Sequence, residues 1–372
     1  MLNRDIYLKN PTERMLVNQG VASVNDDAST EALTVLRYEL ETFVCDGQYE
    51  KGLAHILDTF LRNIDQPQQP GVWISGFFGS GKSHLVKMMR ALWQDAPFPD
   101  GATPRGIADL PASVADQLKE LSVQGKRHGG LHAASGTLGA GATGSVRLAL
   151  LRIIFKSAGL PDGYPVARFV MWLRKEGRLP EVRDAVEAAG YDWQEELDNF
   201  YVADGIADAL IKVWPDRFVS RNACVETLTQ MFPAVNDVSS DDMIKAIRQA
   251  LTRDGKFPLT LVVLDEVQQY IGSDTQRSMD VQETVEACSK NIGGKLLFVG
   301  TGQTAVTGTA NLARLQGRFT VRVELSDSDV DAVIRKVILA KKPETIPQIA
   351  DTLGRNLGEI SRHLSGTTIA HR

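Results

Sequence analysis

The sequence has few cysteines and no large excess of charge of either sign. It contains three cysteines in 372 residues, and its formal net charge is −5. Cys45, Cys224 and Cys288 lie far apart and form no C-x-x-C pair, which predicts reduced, buried thiols. The six histidines have no metal-ligand spacing. The slightly acidic balance gives no overall indication of nucleic-acid binding, although a local basic groove would be hidden in this sum.

The sequence also lacks the usual marks of export or membrane insertion. Charged residues occur throughout residues 1–17, so this segment is not a signal peptide. No uninterrupted apolar run is long enough to span a bilayer. We therefore expect a soluble, cytoplasmic protein with no membrane partner. Hydrophobic residues make up 43% of the chain, enough for the core of one large domain or two small ones.

Strand patterns alternate with helical patterns along the chain. Residues 1–70 are predicted to form an N-terminal helical segment, and 71–325 a core with a helical insertion at about 160–255. Residues 326–372 are predicted to begin a helical lid, and the chain is expected to be a fragment of a longer protein. Apolar runs predict strands at 72–76, 130–138, 259–271 and 318–326, and a strand with the loop after it at 295–303. This alternation predicts an α/β fold, a parallel sheet with helices on both faces.

The first run is followed by a glycine-rich segment that fits the pattern G-x-x-x-x-G-K-S/T. Gly76 and Gly81 permit backbone angles that residues with a Cβ resist, so the loop is able to turn its N–H groups inward around a phosphate, and the helix that follows adds its positive end. Lys82 is expected to reach the β- and γ-phosphates of ATP, and the Ser83 hydroxyl to bind Mg²⁺. His84 is expected to pack or cap rather than react. The candidate nucleotide-binding residues are Gly76, Phe77, Phe78, Gly79, Ser80, Gly81, Lys82, Ser83 and His84.

A second run, LVVLDE, ends in two adjacent carboxylates. A buried strand that delivers Asp265 and Glu266 at its end is costly unless they meet a cation or water. We expect Asp265 to hold Mg²⁺ through water and Glu266 to orient and polarise the attacking water, as in P-loop ATPases of the ASCE class. The alternative is an ordinary acidic turn after a core strand. The glutamate favours hydrolysis over mere binding and disfavours small-molecule kinases and GTPases.

Two further polar positions follow the later strands. Gln303, with Thr301 as the alternative, is the candidate for the sensor residue that contacts the γ-phosphate or the water in AAA+-type ATPases. Arg318, with Arg314 as the alternative, is the candidate for an arginine finger that acts on a neighbouring subunit's nucleotide. An ordinary polar loop and a solvated or salt-bridged arginine remain open as alternatives. Arg362 lies in the predicted lid, where a second sensor arginine would be sought.

Several segments together resemble the P-loop ATPases of the BREX phage-resistance system, the BrxC/PglY family. The segments that carry the resemblance are 2–27, 46–64, 71–89, 129–141, 261–272 and 296–305. The resemblance implies the ATPase module of a longer cytoplasmic protein, similar to AAA+ ATPases of the origin-recognition and Cdc6 type. It also implies partners: a DNA methyltransferase, an alkaline-phosphatase-like protein, further copies of the chain, and DNA, directly or through the complex. It makes Lys82 and Ser83 the nucleotide-binding pair, and Asp265 and Glu266 the hydrolysis pair.

The leading hypothesis is therefore an AAA+-like ATPase that couples ATP hydrolysis to assembly or remodelling of a DNA-linked complex. A signalling switch of the STAND type, which binds ATP but turns it over slowly, is the alternative. A small-molecule kinase is a third hypothesis, but the sequence shows no acceptor pocket or catalytic base for it. A winged-helix DNA-binding part, expected of origin-recognition relatives, is not recognisable.

Overall fold

A parallel sheet forms the centre of the protein. The computed structural model describes residues 3–8, 29–138, 144–326 and 333–369. The strands are β1 (Gly71–Ser75), β2 (Leu131–Thr137), β3 (Leu259–Asp265), β4 (Leu296–Gly302) and β5 (Phe319–Glu324). They lie in the order β2-β3-β4-β1-β5, and every neighbouring pair is parallel. The prediction of an α/β fold with a parallel sheet and surrounding helices is confirmed.

Helices precede, connect and follow the strands. The chain up to β2 contains α1 (Asn3–Ile6), α2 (Thr30–Glu41), α3 (Gly47–Asn63), α4 (Lys82–Gln94), α5 (Pro104–Ile107) and α6 (Ala112–Arg127). Between β2 and β3 lie α7 (Val146–Ser157), α8 (Tyr164–Lys175), α9 (Leu179–Ala188), α10 (Trp193–Asp198), α11 (Asp204–Val213), α12 (Arg221–Met231) and α13 (Ser240–Leu251). The later helices are α14 (Val267–Ile271), α15 (Thr275–Ile292), α16 (Ala310–Ala313) and α17 (Ile346–Ile369). None of these described helices has the combined length and apolar character of a membrane span.

The sheet separates two hydrophobic cores. Val72, Ile74 and Val263 face helices α2, α3, α4 and α6, whereas Trp73 and Val262 face α7, α13 and α15. Successive side chains of a strand point to opposite faces, so a strand covered on both sides needs a continuous apolar run. All residues of β1, β3 and β4 are accordingly buried. In β5, at one edge of the sheet, buried and exposed residues alternate.

The stretch expected to be a helical insertion, about 160–255, contains helices α8 to α13. It packs around an aromatic cluster in which the rings of Phe169 and Phe200 lie 4.9 Å apart. Trp172 stacks on Trp214 at 5.5 Å. Its buried side chains are continuous with the core on the α7 face of the sheet.

The strand order creates a crevice at the carboxyl ends of β1 and β4. The chain leaves β1 for β2 at one edge of the sheet, whereas it leaves β4 in the opposite direction, for β5 at the other edge. Because crossovers between parallel strands are right-handed, connections that run in opposite directions lie on opposite faces. The loops after β1 and β4 therefore diverge, and ligands of open α/β sheets bind at such a point.

Candidate functional site

The glycine-rich loop, residues 76–81, connects β1 to α4 and lies at the crevice. Gly79 and Gly81 have φ angles of 89° and 85°, a left-handed conformation that side chains with a Cβ resist. The Ser80 amide donates to the Phe77 carbonyl at 3.2 Å, which closes a turn within the loop. The Lys82 ammonium donates to the carbonyls of Gly76, at 2.7 Å, and Phe77, at 2.9 Å. The lysine is thus folded back over the loop that precedes it.

The first turn of helix α4 presents unpaired backbone amides beside the glycine-rich loop. It begins at Lys82 after Gly81, which provides no side-chain cap. The amides of Gly81, Lys82, Ser83 and His84 find no acceptor among the residues that the structure describes. Burial lowers the pKa of Lys82, while the Asp265 carboxylate acts in the opposite direction. Free amides, the positive end of a helix and a partly desolvated ammonium together form a site for an anion.

Asp265, at the end of β3, lies beside this anion site. Its Oδ2 accepts a hydrogen bond of 2.9 Å from the Ser83 hydroxyl, and its Oδ1 accepts one from the Thr301 hydroxyl. The Asp265 residue is 4% exposed. Within the described parts of the chain, no three His, Cys, Asp or Glu residues group as they would to hold a metal. A cation on Ser83 and Asp265 would therefore draw its other ligands from phosphate and water, which suits Mg²⁺.

Glu266 follows in a strained backbone conformation. Its φ of 59° and ψ of 30° are left-handed, which costs a residue with a Cβ roughly 1–2 kcal/mol. Its amide donates to Thr301 Oγ1 at 3.0 Å and to Asp265 Oδ1 at 3.1 Å, and these bonds hold the turn. The Glu266 carboxylate accepts a bond of 3.4 Å from the Gln269 side chain and forms no ion pair with a described residue.

One cavity of about 280 Å³ collects these groups. Its volume is close to the lower end of the usual range of ligand pockets, about 300–1,000 Å³. Three separate segments contribute to it: the loop with the start of α4, the end of β3 with α14, and the end of β4. Its lining consists of Phe78, Gly79, Gly81, Lys82, Ser83, His84, Asp265, Glu266, Gln268, Gln269, Thr301, Gly302 and Gln303.

The two sensor candidates occupy different places. Thr301 is 1% exposed and is bound to the acidic pair, so it orients Asp265 and Glu266. Gln303 is exposed and lines the cavity, and its side chain makes no hydrogen bond to a described residue. Gln268, which belongs to no recognisable sequence motif, holds the Gln303 loop. Its Oε1 accepts from the amides of Gln303, at 2.6 Å, and Thr304, at 3.0 Å.

The structure places Arg318 away from the cavity. Arg318 directly precedes β5 and, since the strands are parallel, lies at the amino edge of the sheet, opposite the loop. Its guanidinium pairs with Glu286 at 2.9 Å and donates to Gln68 at 3.3 Å. Arg314 is exposed and forms no ion pair with a described residue. Arg362, on α17, is exposed and does not line the cavity. An action of Arg318 or Arg314 on a neighbouring subunit stays a prediction.

Aromatic residues from α3 and the preceding loop support the glycine-rich loop from outside. The Tyr49 hydroxyl donates to the Ser80 carbonyl at 3.1 Å. The Phe43 ring meets Tyr49 and His84 edge-on, with ring centres 6.1 and 5.8 Å apart. Burial lowers the pKa of His84. The sequence pattern of α3 is that of an ordinary amphipathic helix, so it gave no signal for Tyr49.

Comparison of the sequence with models of known protein families finds no match. Lys82 and the free amides suit an anion, and Ser83 with Asp265 suits a hard cation. Glu266 supplies a carboxylate able to polarise water. An anion, a divalent cation and an activated water are the requirements of phosphate-ester hydrolysis.

Proposed function

We propose that this chain is a P-loop ATPase of the ASCE class, with an AAA+-like core, that binds ATP with Mg²⁺ and hydrolyses it. The hydrogen bond between Ser83 and Asp265 carries the proposal. It joins the glycine-rich loop to the acidic strand end, two motifs that the chain separates widely. The same pair of residues would be needed to hold one cation between a nucleotide and the sheet.

The groups around the cavity fit ATP and Mg²⁺. Lys82 and the amides at the start of α4 would hold the β- and γ-phosphates. Ser83 would bind Mg²⁺ directly, and Asp265 would hold it through water. When bound, Mg²⁺ neutralises the charge that develops on the phosphate oxygens. The Thr301 hydroxyl fixes one oxygen of Asp265, which leaves the other directed at Ser83.

Glu266 would orient and polarise the attacking water. Its carboxylate lines the cavity without an ion-pair partner among the described residues, so its oxygens are available to accept from water. Gln303 is the candidate that would contact the γ-phosphate or this water. Its loop is fixed on one side by Gln268 and on the other by Trp73, whose indole donates to the Thr304 carbonyl at 3.0 Å. A fixed loop lowers the cost of placing the Gln303 side chain.

The resemblance to the BREX ATPases supports a role in phage defence. In this proposal, cycles of ATP binding and hydrolysis in the bacterial cytoplasm assemble or remodel a DNA-linked complex. Its components would be further copies of the chain, a DNA methyltransferase and an alkaline-phosphatase-like protein, with DNA held directly or through the complex. Conformational change at nucleotide sites shared between copies of the chain would transmit the state of the nucleotide to the complex.

A STAND-type switch is the second candidate, and one observation favours it. Apart from Lys82 and His84, the described lining of the cavity contains no basic side chain. An arginine that stabilises transition-state charge accelerates such reactions by about 10³–10⁵-fold. A single chain would therefore bind ATP and hydrolyse it slowly until a partner supplies that charge.

The deciding experiment measures ATP binding and steady-state hydrolysis over a range of protein concentrations, with and without double-stranded DNA. Lys82→Ala should abolish binding. Glu266→Gln should retain binding and lose hydrolysis, whereas the control Glu283→Gln, an exposed residue of α15, should match wild type. Hydrolysis by Glu266→Gln at the wild-type rate would contradict the assignment of the base. Tight binding without turnover in every condition would favour the switch, and absence of binding would reject both.

A further inference from the structure

The conformation of the glycine-rich loop depends on a side chain outside it. Tyr49 lies on α3, 31 residues before Ser80, and its hydroxyl donates to the Ser80 carbonyl at 3.1 Å. Tyr49 is 7% exposed, so water competes little for this bond. The loop is thereby attached to the helix that packs against the sheet beside α4 and α6.

This hydrogen bond determines the direction of an amide that faces the site. The described peptide bonds are trans, and in a planar trans peptide the C=O and N–H groups point in opposite directions. Since the Ser80 carbonyl points at Tyr49, the Gly81 amide in the same peptide points away from α3. The Gly81 carbonyl, in the next peptide, accepts from Leu85 at 2.8 Å and is aligned with α4. The Gly81 amide, without an acceptor among the described residues, is thus the first donor of the anion site.

The contact is close and is supported from behind. A Cβ atom built on Gly81 would lie 1.9 Å from the Tyr49 hydroxyl, so the backbone passes directly over the side chain. Phe43 packs edge-on against the Tyr49 ring and also against His84 on the first turn of α4. Tyr49 therefore cannot follow the loop freely, and the loop must keep its shape to keep the bond.

We propose that Tyr49 is a positioning residue of the nucleotide site: its hydroxyl aims the Gly81 amide at the bound phosphate. The inference rests on the proposed function for the identity of the anion, but not for the effect on the loop. Without the hydroxyl, the Ser80–Gly81 peptide is free to rotate, and part of the binding energy is spent on fixing it again. A displacement of α3 would have the same effect, which makes nucleotide affinity sensitive to the N-terminal helical segment.

The test compares Tyr49→Phe with Tyr201→Phe. Tyr201 is a matched control, because its hydroxyl also donates to a backbone carbonyl, that of Phe232 at 2.7 Å, but in the helical insertion. Tyr49→Phe should weaken binding of ATP with Mg²⁺ about 5-fold, the effect of one hydrogen bond, and raise KM more than it lowers kcat. Amide hydrogen exchange without nucleotide should become faster in the peptide covering 76–84. Tyr201→Phe should leave ATP binding, the kinetic constants and the exchange in this peptide unchanged.

The inference would be overturned if Tyr49→Phe had the same amide exchange and the same ATP affinity as wild type. Equal effects of Tyr49→Phe and Tyr201→Phe would also overturn it, because they would indicate a general loss of stability. If the wild-type chain binds no ATP, the proposed function fails. The exchange measurement then still decides whether Tyr49 holds the loop.

Discussion

Ser83 and Asp265 are 182 positions apart, yet the Ser83 hydroxyl donates to Asp265 Oδ2 at 2.9 Å. Strand β1, which leads into the loop before Ser83, and strand β3, which ends at Asp265, are not neighbours, because β4 lies between them. The two residues meet because the carboxyl ends of parallel strands share one edge of the sheet, and α4 begins directly above it. Thr301, which comes from the strand between them, completes the link through Asp265 Oδ1.

Ser83→Ala should weaken binding of ATP in the presence of Mg²⁺ about 10-fold and leave binding in the presence of EDTA unchanged, since the lost hydroxyl is a ligand of the cation in the proposed function. Ser83→Thr keeps the hydroxyl and should bind like wild type. Isothermal titration calorimetry with Mg²⁺ or EDTA measures both affinities. An equal loss in both conditions would show that Ser83 contacts phosphate rather than the cation.

Thr301→Val should destabilise the fold and slow hydrolysis. The change leaves the buried Asp265 oxygen and the Glu266 amide with fewer partners, at a cost of about 1–3 kcal/mol. Thr301→Ser keeps the hydroxyl, so its loss of stability should be less than half of that of Thr301→Val. Urea unfolding measures the free energy of unfolding of each variant. The kcat of ATP hydrolysis shows whether the variant disturbs the turn at Glu266. A Val variant as stable as the Ser variant would contradict the role of the hydroxyl.

Arg318 offers a test of action on a neighbouring subunit. If it acts in trans, specific activity should rise with protein concentration, and Arg318→Ala should remove that rise. Glu286→Gln breaks the same ion pair but keeps the arginine, so it should preserve the rise. Equal losses in these two variants would assign Arg318 a structural role. A loss confined to Arg314→Ala would move the function to that exposed residue.

His132 should make stability depend on pH. It is 3% exposed, and burial, with Arg253 and Arg90 nearby, lowers its pKa from 6.5 to about 4. Between these values the unfolded chain binds a proton that the folded chain does not. The contribution of His132 to the free energy of unfolding is therefore complete above pH 6.5 and falls as pH decreases, by about 2 kcal/mol at pH 5.

Urea unfolding at pH 7.5 and pH 5 measures this change. Between pH 7.5 and pH 5, the free energy of unfolding of His132→Gln should fall by about 2 kcal/mol less than that of wild type. His55→Gln, at an exposed position, should follow wild type. An unchanged pH dependence in His132→Gln would contradict the prediction.

Much of the site could be predicted where residues close in sequence determine the local backbone. The pattern of residues 76–83 predicts backbone angles at Gly76 and Gly81 that residues with a Cβ resist. Gly81 has such a left-handed conformation, but the other left-handed glycine of the loop is Gly79 and not Gly76. The run before Asp265 predicts a buried strand, because only a strand covered on both faces is apolar at every position. The roles of these residues toward ATP and Mg²⁺ stay predictions. Residues 139–141, which fall within the resemblance, lie outside the described residues, as do most of 2–27.

Other features could not be read from the sequence, because they depend on contacts between distant segments. Tyr49 and Gln268 look like ordinary residues until the fold brings them to the glycine-rich loop and the Gln303 loop. Arg318 is the candidate for an arginine finger toward a neighbouring subunit, and only the direction of β5 shows that it lies at the opposite edge of the sheet from the cavity, beside Glu286.

The sequence by itself determined the glycine-rich turn, the apolar strands and the carboxylates that end one of them, since each depends on a few consecutive residues. Only the tertiary structure decided that the loop and Asp265 form one cavity, that Thr301 orients the acidic pair, and that Gln303 faces the cavity. The physical reason is that strand order and crossover direction, which no short pattern encodes, determine which loop ends meet.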